Sequence, residues 1–166
     1  MTGLERLLAP NQFAARVLDI LQPLLALATR IHVGWVFFKS GLWKVNNWDQ
    51  TVGLFESEYR TPILSPTAAA ILGTLGELAF PVLLWLGLFG RLSALGLSAI
   101  NAVAVISYSH VLLADGFEAA IGQHKLWGFM LLVLMIYGPG KLSLDYVLGR
   151  QALRTSGNTQ TATVAI

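Results

Sequence analysis

The chain has no cysteine and little charge. Without cysteine it forms no disulfide, binds no iron–sulfur cluster through thiolates and offers no thiol nucleophile. Only 12% of its 166 residues are charged, against about a quarter in soluble domains, which argues against an ordinary soluble globule. The net charge is +2 with the bases scattered, so nucleic-acid binding has no footprint. There is no GxGxxG or Walker loop, no Gly-x-Ser-x-Gly elbow and no pair of carboxylates on one helix that offers acid/base work of the glycosidase type. Nucleotide, acyl-transfer and glycosidase chemistry therefore lack their usual carriers. No histidine spacing matches a tight metal motif, so no metal ligands are assigned.

What the sequence has is apolar length. Hydrophobic residues make up 55%, and the mean hydropathy is +0.63. A bilayer core of ~30 Å needs about 20 helical residues. Four stretches qualify, at about 21–43, 68–89, 92–113 and 123–138. Strands of a membrane barrel would be shorter and would alternate apolar with polar. The expectation is an all-α membrane protein, a bundle of four transmembrane helices over 21–149. Leu4, Leu7, Leu8, Phe13, Val17, Leu18 and Leu21 recur at helical spacing. They predict an amphipathic lead-in over 1–20 on the membrane surface, with Pro23 in the first turn of the next helix. Trp48, Val52, Phe55 and Tyr59 predict a short interfacial helix within 44–66, opened by an Asn47/Gln50 capping box. Residues 150–166 read as a loose cytoplasmic tail. Bases gather on the face of both termini and acids on the other, so both termini are expected in the cytoplasm.

Charge inside a bilayer is costly and rarely idle. At ~1.5 Å per residue, Arg30 and Asn101 fall about 13 Å and Glu77 about 18 Å from the cytoplasmic end. Arg30, Gly34, Phe37 and Gly41 share one face of the first helix, and Gly73, Glu77, Phe80 and Leu84 one face of the second. Ser98, Asn101, Val105 and Tyr108 form a stripe on the third. These patterns predict a buried Arg30–Glu77 ion pair with Asn101 as third member, as a catalytic layer or as structural glue. Phe37, Phe80 and Tyr108 would wall a pocket beside it. His110 and His124 lie in the outer third, near Lys39 and Lys125. Histidines there relay protons, bind metal or haem, or bond a quinone carbonyl. His110 stands opposite Asn101 on its helix and cannot line the same wall.

Three strings in order resemble the DoxX family. They are RIHVGWVFFKSGLWK at 30–44, GTLGE at 73–77 followed by LGLFGR at 86–91, and YGPGKLSLD at 137–145. The resemblance implies a four-helix protein of the bacterial inner membrane. It carries over the motif positions Arg30, Lys44, Glu77 and Arg91. The related DoxD proteins are subunits of a quinone-linked thiosulfate oxidoreductase. The subgroup that the chain is most similar to, HvfX-type proteins, is encoded beside maturation enzymes for copper-binding peptides. The leading expectation is thus a membrane subunit of a quinone-linked oxidoreductase or peptide-maturation system, with a soluble or membrane redox partner. A small transporter and a non-catalytic scaffold or anchor are the alternatives, either of them open to homo-oligomerisation through the glycine faces.

Overall fold

The computed structural model describes residues 3–163, with side chains from 11 to 153. The described chain is helical throughout its regular structure. The helices are α1 (Gly3–Asn46), α2 (Trp48–Ser57), α3 (Pro66–Leu86), α4 (Gly90–Ser107), α5 (Ser109–Leu112), α6 (Glu118–Tyr137) and α7 (Leu144–Thr163). Four of them, α1, α3, α4 and α6, are long and apolar enough to cross a membrane. The protein is an all-α membrane bundle of four such helices.

α3 packs against α1 and α4, and α4 against α6. The core between them is built from Val33, Phe37, Leu84, Ala94, Leu97, Leu131 and Leu134. The opposite faces leave Leu72, Leu75, Leu92, Leu95 and Phe129 exposed, as suits helices whose outer surface meets lipid. α2 lies across one end of the bundle, against α3 and α1. This is the cap end. The other end holds the short α3–α4 and α6–α7 turns and is called the hairpin end.

Small residues set the register of α1 on α3. A side chain at Gly41 would meet Leu78 at 3.0 Å and the Glu77 Cβ at 3.1 Å. Gly34 leaves room for the Trp85 indole, whose Nε1 donates to the Ile31 carbonyl at 3.3 Å. Glycine at such positions lets two helix backbones approach closely.

Four boundaries differ from the sequence expectation. α1 runs unbroken through Pro23. Proline removes one backbone donor, yet the residues on both sides are helix formers and nothing forces a break. The predicted lead-in is thus continuous with the first span; Leu4, Leu7 and Leu8 lie outside the described side chains. The predicted third span stops at Ser107 and resumes as α5. The reason is tertiary: the Arg60 backbone N–H donates to the Ser107 carbonyl at 2.9 Å, and the Tyr108 hydroxyl turns to Glu58 at 3.0 Å. α6 starts at Glu118, whose carboxylate accepts from the Gly116 N–H at 3.2 Å. The segment read as a loose tail continues α7 to Thr163, and 164–166 lie outside the described residues.

The interfacial helix forms as α2, without the capping box. Asn47 instead donates from Nδ2 back to the Trp43 carbonyl at 2.8 Å and closes the end of α1.

A clasp of fixed carbonyls and a polar cavity

Arg30 and Glu77 do not meet. Gly41, not Arg30, stands level with Glu77, and Arg30 lies eleven residues earlier on α1, about 16 Å along the axis. The apolar stripes of two helices allow several registers, and the glycine contacts select one that separates the two charges. The expected ion pair and its three-membered layer are therefore corrected into two separate polar sites.

The first site is at the hairpin end. Arg30 is completely buried. Its Nη1 donates to the carbonyls of Leu84 at 3.3 Å and Trp85 at 3.4 Å, and its Nη2 to the Leu142 carbonyl. The last carbonyls of α3 have no partner within the helix and carry the negative end of its dipole, so a guanidinium fits there. Asp145, at the start of α7, does the converse for α4. Its Oδ1 accepts from the Phe89 N–H and its Oδ2 from the Gly90 N–H, each at 2.8 Å. This bidentate grip holds Phe89 at φ 50, a left-handed conformation that a large side chain rarely adopts. The Asp145 N–H donates in turn to the Gly87 carbonyl at 3.0 Å. One cation and one anion thus tie the α3–α4 turn to the α6–α7 turn.

The second site is in the half of the bundle nearer the cap end. Lys44 Nζ bonds both oxygens of Glu77, at 2.5 and 2.6 Å. Both side chains are largely buried, with the Ser40 hydroxyl beside the carboxylate. Pairing spares each group the cost of an isolated charge in a low dielectric. The pair lies on a cavity of about 490 Å³ whose lining includes Phe37, Trp43, Phe55, Tyr59, Tyr108 and Trp127. A second cavity of about 230 Å³ between α3 and α4 shares Lys44 and Glu77 as its wall. The ion pair, with Phe55, Tyr59 and Ala104, makes the wall common to the two spaces.

His124 of α6 also lines the larger cavity. Asn101 of α4 holds it twice: Nδ2 donates to the His124 carbonyl at 3.0 Å, and Oδ1 lies 2.8 Å from the ring Nδ1. The imidazole stands edge-on to Trp127 with ring centres 4.9 Å apart, and Trp127 stands edge-on to Phe37 at 6.0 Å. Lys39 completes the cation set of the lining.

Tyr59 and Tyr108 line the same cavity, with ring centres 5.0 Å apart. Both phenols titrate above the ordinary tyrosine value. For Tyr59 the main cause is burial, followed by the nearby Tyr108, Glu77 and Glu58. For Tyr108 it is the hydrogen bond to the Glu58 carboxylate, which favours the protonated hydroxyl.

Of the residues expected at a site, Glu77, Phe37, Tyr108 and His124 converge on the cavity. Asn101 stands behind His124. Arg30 belongs to the clasp. Phe80 is outside the lining, its ring over Gly96 between α3 and α4. His110 is exposed and lies edge-on to Tyr108 with centres 5.5 Å apart, away from the lining. Among the described residues no three histidine, aspartate or glutamate side chains are placed to hold a metal ion.

The site pair that sequence reasoning missed is Lys44 with Glu77, although its signal was present. The stripe of Arg30, Gly34, Phe37 and Gly41 reaches Lys44 three residues later, on the same face. Tyr59 and Trp127 carried no comparable signal, because aromatic residues at interfaces are common anchors.

The DoxX family model matches residues 25–110. That range holds α3, most of the first span, Lys44, Glu77 and Asn101. Over 130 residues the chain is 35% identical to an uncharacterized protein of Haemophilus influenzae, covering 74% of this chain and 82% of that one. No solved structure matches it. The chain is a member of the DoxX family.

Proposed function

We propose that the chain is the membrane subunit of a quinone-linked oxidoreductase and that the cavity of about 490 Å³ takes the quinone ring. The observation carrying this reading is one ion pair and one held imidazole on a cavity whose remaining lining is mostly aromatic and aliphatic, with Lys39, Ser40 and Thr51 as its other polar residues. A quinone site needs an apolar slot with a few polar groups at carbonyl reach. The residues present fit that need. An ammonium has three N–H donors, and Lys44 gives two directions to Glu77, leaving one for a ligand oxygen. Phe37 and Trp127 supply flat apolar surface. When bound, a quinone supplies two-electron, two-proton redox chemistry.

The chain's own part is to bind, orient and handle protons. Lys44 stabilises negative charge on a ligand oxygen. Glu77, in contact with Lys44, is the group placed to take up or release a proton. The chain has no cysteine and no flavin motif, so the electrons pass to or from a partner protein. The resemblance to HvfX-type proteins supports a partner that matures copper-binding peptides. Arg91, Lys141 and Arg150 at the hairpin end, against Asp49, Glu56, Glu58 and Asp115 at the cap end, support both termini in the cytoplasm of a bacterial inner membrane.

The test uses Trp43 and Trp127, which line the cavity, as reporters. A short-chain quinone titrated into the purified protein is expected to quench tryptophan fluorescence saturably. Glu77→Gln is expected to weaken this by roughly tenfold, the scale of one charge-assisted hydrogen bond. Absence of saturable quenching, together with no quinone co-purifying by mass spectrometry, overturns the reading in favour of a scaffold or transporter.

A further inference from the structure

The two contacts between Asn101 and His124 decide where the imidazole carries its proton. The His124 backbone carbonyl accepts only, so the Asn101 atom facing it at 3.0 Å is the amide nitrogen. The other atom of that carboxamide, 2.8 Å from the ring Nδ1, is then the carbonyl oxygen, which also accepts only. A neutral imidazole has one N–H, and this contact places it on Nδ1. Nε2 is left with a lone pair, and it hydrogen-bonds to no protein group among the described residues. His124 lines the larger cavity and Asn101 does not; with Nδ1 held by Asn101, Nε2 is the ring nitrogen left for a ligand.

We infer that Asn101 is a positioning residue that fixes His124 as the Nδ1–H form, so that the cavity presents an acceptor there and selects a ligand bearing a hydroxyl. This deepens the quinone reading and rests on it for the ligand: the quinol, with its O–H groups, is the form that His124 recognises, whereas a quinone carbonyl would face a second acceptor. Lys44, on the same cavity, offers the donor for the ligand's other oxygen. A quinol satisfies both groups: one hydroxyl donates to Nε2, and the oxygen of the other accepts from Lys44. The hydrogen bond from ligand hydroxyl to Nε2 is the contact along which a proton leaves the ligand. The imidazolium formed would keep its Nδ1–H on the Asn101 oxygen, which stabilises the new charge.

The experiment reads the tautomer directly. The protein has three histidines, His32, His110 and His124. Uniform ¹⁵N-histidine labelling, with His124→Gln to assign the signals, gives the His124 nitrogen shifts. The spectrum is taken about two pH units above the ordinary imidazole value of ~6.5, so that the rings are neutral. The Nδ1–H pattern is expected in the parent protein and in Asn101→Asp, which keeps an acceptor at Nδ1, and it is expected to be lost in Asn101→Leu. An Nε2–H pattern in the parent, or an Nδ1–H pattern surviving in Asn101→Leu, overturns the inference. In parallel, a short-chain quinol is expected to bind about tenfold more tightly than its quinone, the worth of one hydrogen bond, and Asn101→Leu is expected to erase that preference. Tighter binding of the quinone overturns the ligand assignment. If neither form binds, the quinone site falls, while the nitrogen shifts still decide the role of Asn101.

Discussion

The clasp at the hairpin end and the cavity toward the cap end are both polar constellations inside an apolar bundle, yet they end differently. At the clasp, Arg30 turns both terminal nitrogens to the carbonyls of Leu84, Trp85 and Leu142 and has no exposed surface, and its one unpartnered nitrogen, Nε, is buried outside both cavity linings. Asp145 directs both oxygens to backbone N–H groups. At the cavity, Lys44 keeps one donor direction and His124 one ring nitrogen that the protein does not use. A buried charge is thus no sign of chemistry by itself. What distinguishes a site from a structural tie is unused bonding capacity facing open volume.

Removing the clasp's cation is expected to have the largest effect. Arg30→Met leaves the Trp85 and Leu142 carbonyls without this donor and the Leu84 carbonyl with only the Gly87 N–H, at a cost of about 3 kcal/mol or more. Thermal unfolding in detergent should show it, and Arg30→Lys should recover only part, because one ammonium cannot reproduce a planar fork. Wild-type stability with lost ligand binding in Arg30→Lys would break the comparison, since Arg30 would then belong to a site.

Next comes the ion pair. Glu77→Leu strands the Lys44 ammonium, which keeps some exposure, and is expected to destabilise by about 3 kcal/mol, the low end for a broken buried pair. Adding Lys44→Met removes the stranded charge and is expected to restore most of that stability without restoring ligand binding. The same thermal scan, paired with the quenching titration, separates the two roles. Asp145→Ala should cost less, about 1–2 kcal/mol for a lost helix cap, and leave ligand affinity unchanged.

The smallest effect is one of pH. Tyr59 titrates above the ordinary phenol value because it is half-buried beside Tyr108, Glu77 and Glu58. Its neutral form is favoured in the fold, so its contribution is complete below the unfolded value of ~10 and is lost as pH rises through the raised folded value. Tyr59→Phe is expected to flatten the stability decline above pH ~10 and to remove one of the two late-titrating phenols from the tyrosinate absorbance titration, leaving Tyr108.

Much of the architecture was legible because apolar length is a direct readout of bilayer thickness. α3, α4 and α6 follow from their runs of Leu, Ile, Val and Ala, and α2 from its aromatic spacing. The unbroken course of α1 was not, because Pro23 signals a boundary locally and only packing and neighbouring propensities decide whether it acts as one. At the sites, Glu77, Asn101 and Arg30 stood out as polar residues in apolar helices. Their partners did not, because pairing depends on register, and the register was set by how Gly34 and Gly41 seat against Trp85 and Leu78. A sliding error of three turns moved the counter-ion of Glu77 from Lys44 to Arg30.

The most direct measurement is mass spectrometry of ligand retained through gentle purification, compared among the parent, the Lys44→Met/Glu77→Leu double variant and Asp145→Ala. A quinone is expected to be retained by the parent and by Asp145→Ala and absent from the double variant. Equal retention by all three proteins, or none in the parent, would contradict the assignment of the cavity.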